Sequence, residues 1–157
     1  MIIDASTDQV NGGSVGWDEI RDLHVEFLAE QGFRPKVDDE GDIHFRYEGR
    51  HHFVMETQDE HYFHLLFPNF FPLSNEAEIE EAALAASAAS RATKVAKVYL
   101  NPAQDNVSAS VELLVAEPAD VHAHFLRCLG IIGTATGKFL EEMSARLTAA
   151  VPADSTA

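Results

Sequence analysis

The chain has 157 residues, 46% hydrophobic and 24% charged, with 11 Lys and Arg against 26 Asp and Glu and a formal net charge of −15. That length suits one domain with one core, and that composition argues against disorder throughout. The acidity repels phosphate backbones and anionic headgroups, so nucleic acid and membrane surfaces are not expected partners, while basic or amphipathic polypeptide segments are favoured.

Residues 1–15 carry Asn, Gly and Ser without periodicity and read as a flexible arm. They hold no basic region and no apolar run of signal-peptide length. No stretch approaches the ~20 apolar residues of a membrane span. The single cysteine, Cys128, can form no internal disulfide. A soluble protein of a reducing cytoplasm is the expectation. Residues 16–149 read as one domain, and 150–157, broken at Pro152, as a disordered tail.

The first helix is expected from Trp17 to Gln31, where Trp17, Ile20, Leu23, His24, Phe27 and Leu28 recur at helical spacing and Gly32 ends the run. In "DDEGDIHFRYEGRHHF", Ile43, Phe45 and Tyr47 alternate with His44 and Arg46, the period of a strand. "EGR" turns the chain, with Gly49 able to take positive φ. His51 to Glu56 returns as a second strand, "TQDE" turns again, and "HYFHLLF" is a third. The prolines of "PNFFPLSNEAE" are expected to stop the sheet. Asn75 and Glu78 fit a capping box for a second helix reaching Arg91, with Ile79, Ala82, Ala83, Ala86 and Ala89 facing inward. Val95–Leu100 and Val107–Val115 form a second hairpin, the latter alternating apolar with more polar residues. A long last helix starts near Pro118 and runs to about Ala149, with Gly130, Gly133 and Gly137 in its middle. The expected fold is α+β: a five-stranded antiparallel sheet with helices packed on it, in the order α-βββ-α-ββ-α.

"DDEGDIHFRYEGRHHF", "TKVAKVYL" after an Ala-rich helix, and "NVSASVELL" before a long terminal helix together resemble the YbjN family of sensory transduction regulators. The domain of that family is similar in fold to type III secretion chaperones, which are small, acidic and dimeric. The resemblance spans roughly residues 17–147. In "AASAASRATK", Ser87 and Ser90 stand where that family commonly has an Asn. The resemblance implies frequent dimerisation and a binding or chaperone-like role without chemistry or cofactor. Fold alone does not transfer function.

Five of the eight histidines lie between His44 and His64. Imidazole is a common metal ligand, so His44, His51, His61 and His64 form the alternative reading: a metal-binding or metal-dependent hydrolytic protein. Strand parity weighs against it. With a two-residue loop at Glu48-Gly49, Tyr47 pairs with Arg50 and Arg46 with His51. His51 and His52 then face opposite ways, and His44 shares a face with His51 but is diagonally offset. Cys128 and His124 are one helical turn apart, but a thiol among apolar residues is usually inert packing. "DDEGD" lacks the spacing of an EF-hand loop and reads as a solvated turn. The stronger candidates are apolar. Phe70 and Phe71 are adjacent in an expected loop, where they either cap the core beneath the second helix or form an exposed patch with Leu73. The small face of the second helix, Ala82, Ala86 and Ala89, is the other candidate surface. A protein or peptide partner and a homodimer are the expected occupants.

Overall fold

The computed structural model describes residues 13–151, so the arm and tail expected at the termini lie for the most part outside the described residues. α1 (Trp17–Glu30) buries Ile20, His24 and Leu28, one residue per turn. It ends where Gly32 takes φ +90° and the Phe33 N–H closes back on Leu28. The sheet then begins one strand earlier than expected. β1 (Lys36–Val37) pairs with β2 (Ile43–Tyr47), Lys36 opposite His44 and Val37 opposite Ile43. "DDEGD" is the turn between them. The Asp38 Oδ1 accepts the N–H groups of Glu40 and Asp42, each at 3.0 Å, and Gly41 takes φ +91°. The sheet therefore has six strands, not five. Two residues cannot display a period, so nothing in the residue pattern announces β1.

β2 and β3 (Arg50–Val54) pair in the expected register, from Tyr47 opposite Arg50 to Ile43 opposite Val54. The loop takes positive φ at both Glu48 and Gly49, matching the right-handed twist of the flanking strands. β4 (Tyr62–Pro72) is longer than expected. The strand runs through Pro68, and its register against β6 (Asn106–Leu114) shifts between Phe67 and Phe71. Side chains replace the missing ladder there: Asn69 N–H donates to the Ser108 hydroxyl at 3.1 Å and Phe71 N–H to the Asn106 side-chain oxygen at 3.2 Å. Bulges admit proline where a regular central strand does not.

α2 (Glu76–Ala92) is capped by Asn75, whose side chain accepts the Glu78 N–H at 3.0 Å. The Glu78 carboxylate reaches the Ser74 N–H, one residue upstream of the expected partner. Ala82, Ala85, Ala86 and Ala89 are buried, while Ala83, expected inside, is exposed. β5 (Ala96–Leu100) forms the far edge, giving the antiparallel order β1-β2-β3-β4-β6-β5. Ser90 of α2 covers that edge, its hydroxyl accepting the Val98 N–H at 2.8 Å and donating to the Val98 carbonyl at 3.3 Å. The last helix opens as a 3-10 segment, Pro118–His124, and continues as α3 (Phe125–Ala150).

Among the described residues, α1, α2 and α3 lie on one face of the sheet. Phe125 of α3 meets Phe45 and Phe63, Phe139 meets Phe70 and Phe71, and His24 of α1 meets Phe63. Burying a large apolar side chain such as Phe125 or Phe139 contributes about 1.5–3 kcal/mol. Strand alternation sends the opposite set, including His44, Arg46, His51, Tyr62, His64, Lys97, Tyr99 and Glu112, to the face without helices.

Candidate binding surface

The expected apolar surface is mostly inside the chain. Leu73, Ala82, Ala86 and Ala89 belong to the core, where the small alanines let α2 lie close to α3 and β5. Phe70 and Phe71 sit in β4 rather than in a loop. The bulge turns two successive rings inward, and both are half-buried against Phe139 of α3, with centroids 5.4 and 5.3 Å away. They cap the core beneath α3, not beneath α2.

A different surface remains open. On α3, Leu126, Gly130, Gly133, Gly137, Leu140, Ser144 and Leu147 follow one another at steps of three and four and share one side. None is charged. Leu126 is 54% exposed, Leu140 39% and Leu147 36%, and Val151 just beyond the helix is 68% exposed. A methyl group added at any of the three glycines would meet nothing within 4 Å. Their absence of side chain therefore serves no contact within this chain, although each costs about 1 kcal/mol relative to alanine in a helix. At the C-terminal end the stripe runs into a groove of about 730 Å³ lined by Phe71, Leu140, Met143, Leu147 and Val151. Sequence reasoning noted the glycines and left two readings, close approach to a partner surface or a bend in the helix. Helical projection with Leu126 and Leu140 was the available signal.

The helix-free face of the sheet is polar. Glu112 accepts Lys97 Nζ at 2.8 Å and the Ser110 hydroxyl at 3.2 Å, with His64 Nε2 at 3.7 Å. Burial pushes the Glu112 carboxyl up, but hydrogen bonds from Lys97 and Tyr62 and the nearby His64 outweigh it and hold it below its usual range. Burial and the hydrogen bond to Glu112 push the Tyr62 hydroxyl up to about 12. On the same face, the rings of His44 and His51 stack with centroids 4.6 Å apart and ring nitrogens in hydrogen-bond contact, a closeness that the diagonal offset did not suggest. His52, of opposite parity, is buried between Phe45 and Phe67 and donates or accepts nothing across that divide; its Nδ1 lies 3.1 Å from the Arg50 carbonyl.

The four histidines of the metal reading do not converge. His44 and His51 meet, His61 Nδ1 lies 3.0 Å from the Ala116 carbonyl, and His64 faces Glu112. Among the described residues, no three of His, Cys, Asp and Glu gather as metal ligands would. Cys128 and His124 line one cavity with Val95, Arg127 and Ile131, but no hydrogen bond joins them. Burial pushes the Cys128 thiol up, away from the thiolate a nucleophile needs. A histidine pair unnoticed in the sequence meets instead: buried His24 has its Nδ1 3.0 Å from Nε2 of half-buried His122, with Phe27 stacked on His122. Among the described residues, no helix is long and apolar enough to cross a membrane.

No protein-family model matches the chain, and no curated protein matches it significantly. Solved structures of similar fold include an uncharacterized protein from Methanothermobacter thermautotrophicus, with a TM-score of 0.54 at 10% identity over 81% of this chain and 98% of that one. The Yersinia pestis type III secretion chaperone SycH, solved in complex with a stable fragment of YscM2, gives 0.50 at 14% identity over 75% of this chain and 98% of that one. YbjN from E. coli, a candidate transcription regulator, gives 0.51 at 12% identity over 82% and 92%. At such identities the likeness is one of fold, and the resemblance drawn from the residues stands at that level.

Proposed function

We propose that this chain is a non-enzymatic cytoplasmic protein of regulator or chaperone type that binds polypeptide through the uncharged face of α3, and that it does so as a homodimer. One observation carries the reading. Three glycines, Gly130 and Gly133 exposed and Gly137 half-buried, lie on a helical face where an added Cβ would meet nothing within 4 Å, with exposed leucines along the same stripe. Small residues let another backbone approach closely, and a flanking leucine then packs beside it.

A second copy is the occupant that this stripe suits best. Leu126 and Leu140 are equidistant in sequence from Gly133. An antiparallel two-fold crossing at Gly133 would set Leu126 of one copy against Leu140 of the other. The charge supports the choice of face. A chain of net charge −15 repels its own copies almost anywhere else, but this stripe carries no charge. The groove at Phe71, Met143 and Val151 is then left for an apolar segment of a partner polypeptide. The fold shared with a secretion chaperone and with a candidate regulator supports a binding role without naming the partner.

Light scattering on the wild-type chain and on Gly133→Leu tests this. A Cβ at Gly133 meets nothing within 4 Å, so the substitution starts in open space and the monomer should keep its fold. The expected result is a dimer lost in the variant, with unchanged circular dichroism. A variant as dimeric as the wild type would sink the reading. Binding without chemistry is tested separately: partner capture from host lysate should be reduced by Leu147→Lys.

A further inference from the structure

Like charges set directly opposite across a sheet repel, whereas opposite charges stabilise the pairing. One end of the helix-free face follows this rule, with Glu112 placed between Lys97 and His64. The other end offers no such acid: Lys36 of β1 is directly opposite His44 of β2, and Arg46 of β2 is directly opposite His51 of β3. His44 and His51 touch, and Arg46 Nη2 lies 3.3 Å from His51 Nε2. With Arg34 and Phe33, these groups line a cavity of about 620 Å³.

Among the described residues, no carboxylate lines that cavity. Among the described residues, none of Arg34, Lys36 and Arg46 has an ion-pair partner. Asp38, the acid whose charge reaches His44, already accepts two backbone N–H groups in the turn. On a chain with 26 acids and 11 permanent cations, three cations converging without an acid is a local reversal of sign. The arrangement at Glu112 shows what is missing here: an anion among the cations.

We propose that this cavity is an oxyanion site that takes the phosphate group of a small phosphomonoester. Two guanidinium groups can each offer paired N–H donors to phosphate oxygens, and Lys36 adds a point charge. The dianion offsets the mutual repulsion of Arg34, Lys36 and Arg46 around the cavity. The volume exceeds that of phosphate alone, and Phe33 gives the organic part an apolar wall. Burial, and after it the charges of His51, Arg46 and Lys36, hold the His44 imidazole below its ordinary range, with Asp38 opposing. A bound dianion reverses that balance.

Calorimetric titration of the full chain at low ionic strength, with phenyl phosphate and with inorganic phosphate, tests the site. Phenyl phosphate should bind once per chain and more tightly than inorganic phosphate. Arg46→Gln and Lys36→Gln should each weaken it by about tenfold, the loss of one charge-assisted contact. Lys97→Gln, at the paired end of the same face, should leave it unchanged. The His44 and His51 ring signals should shift in NMR spectra as ligand is added. Tighter binding of inorganic phosphate than of phenyl phosphate would assign the site to the free ion and overturn the phosphomonoester. Absence of saturable binding by either, or equal binding by wild type and Arg46→Gln, would overturn the site itself.

Discussion

At the scale of single residues, buried His24 beside His122 sets an acid limit on stability. Burial, reinforced by the charge of His122, lowers the His24 pKa from 6.5 to about 4. The unfolded chain therefore binds this proton below pH 6.5, while the folded chain refuses it until about pH 4. Stability is fully present above pH 6.5 and falls as the pH drops through that window, by roughly 3 kcal/mol from this group. His52, His64 and His122 are shifted in the same direction and add to the slope. Urea unfolding from pH 4 to 7 should show the decline, and His24→Leu should flatten it without abolishing it. Val95 makes a second case. It is β-branched, 51% exposed and held at φ +73°, where Cβ crowds the backbone. Val95→Gly should raise stability by about 1 kcal/mol, measured as a higher urea midpoint at unchanged slope. Neither feature was legible in the residue pattern. A left-handed valine is a consequence of how the helix–strand connection closes, and His24 and His122 are 98 positions apart.

At the scale of elements, local signals worked where an element carried its own period or turn chemistry. The β2–β3 register followed from two residues at the "EGR" turn and was correct pair by pair. The expected cap at Asn75 formed because its side chain needs only the local Glu78 N–H. The signals failed where long-range contacts decided. β1 is too short to show alternation. β4 passes Pro68 because side chains from β6 complete its hydrogen bonds. Phe70 and Phe71 came to lie half-buried against the core because a bulge re-aimed them, and no sequence period encodes a bulge. Ser90 shows an element-level device of the same kind. Its hydroxyl satisfies both outward backbone groups of Val98, so the β5 edge is not left as a template for another strand. Ser90→Ala leaves those groups without their partner. The variant should lose about 1–3 kcal/mol in chemical denaturation, and it should aggregate faster than wild type on mild heating.

At the scale of the whole molecule, one face of the sheet carries all three helices and the other carries charge. The fold class and helix order were legible from periodicity, since each helix buries one stripe and each long strand alternates. The binding surface was not. Leu73 and the alanines chosen for being apolar proved to be core, and Phe70 and Phe71 are half-buried against it, because apolarity alone does not distinguish a face turned inward from one left open. The α3 stripe is distinguished by its lack of charge and by three glycines at which an added Cβ would meet nothing within 4 Å. Its glycines also separate folding from association. Changing Gly130, Gly133 and Gly137 to alanine should stabilise the isolated helix by about 1 kcal/mol per site, yet weaken the contact between copies. The most direct test is therefore multi-angle light scattering of the triple alanine variant beside the wild type, over a range of concentrations, with thermal melts in parallel. The account predicts a wild-type mass near twice 17.3 kDa, and a variant that is monomeric at concentrations where the wild type is dimeric, with its fold intact. A wild type that stays monomeric throughout, or a variant that associates as tightly as the wild type, would contradict it.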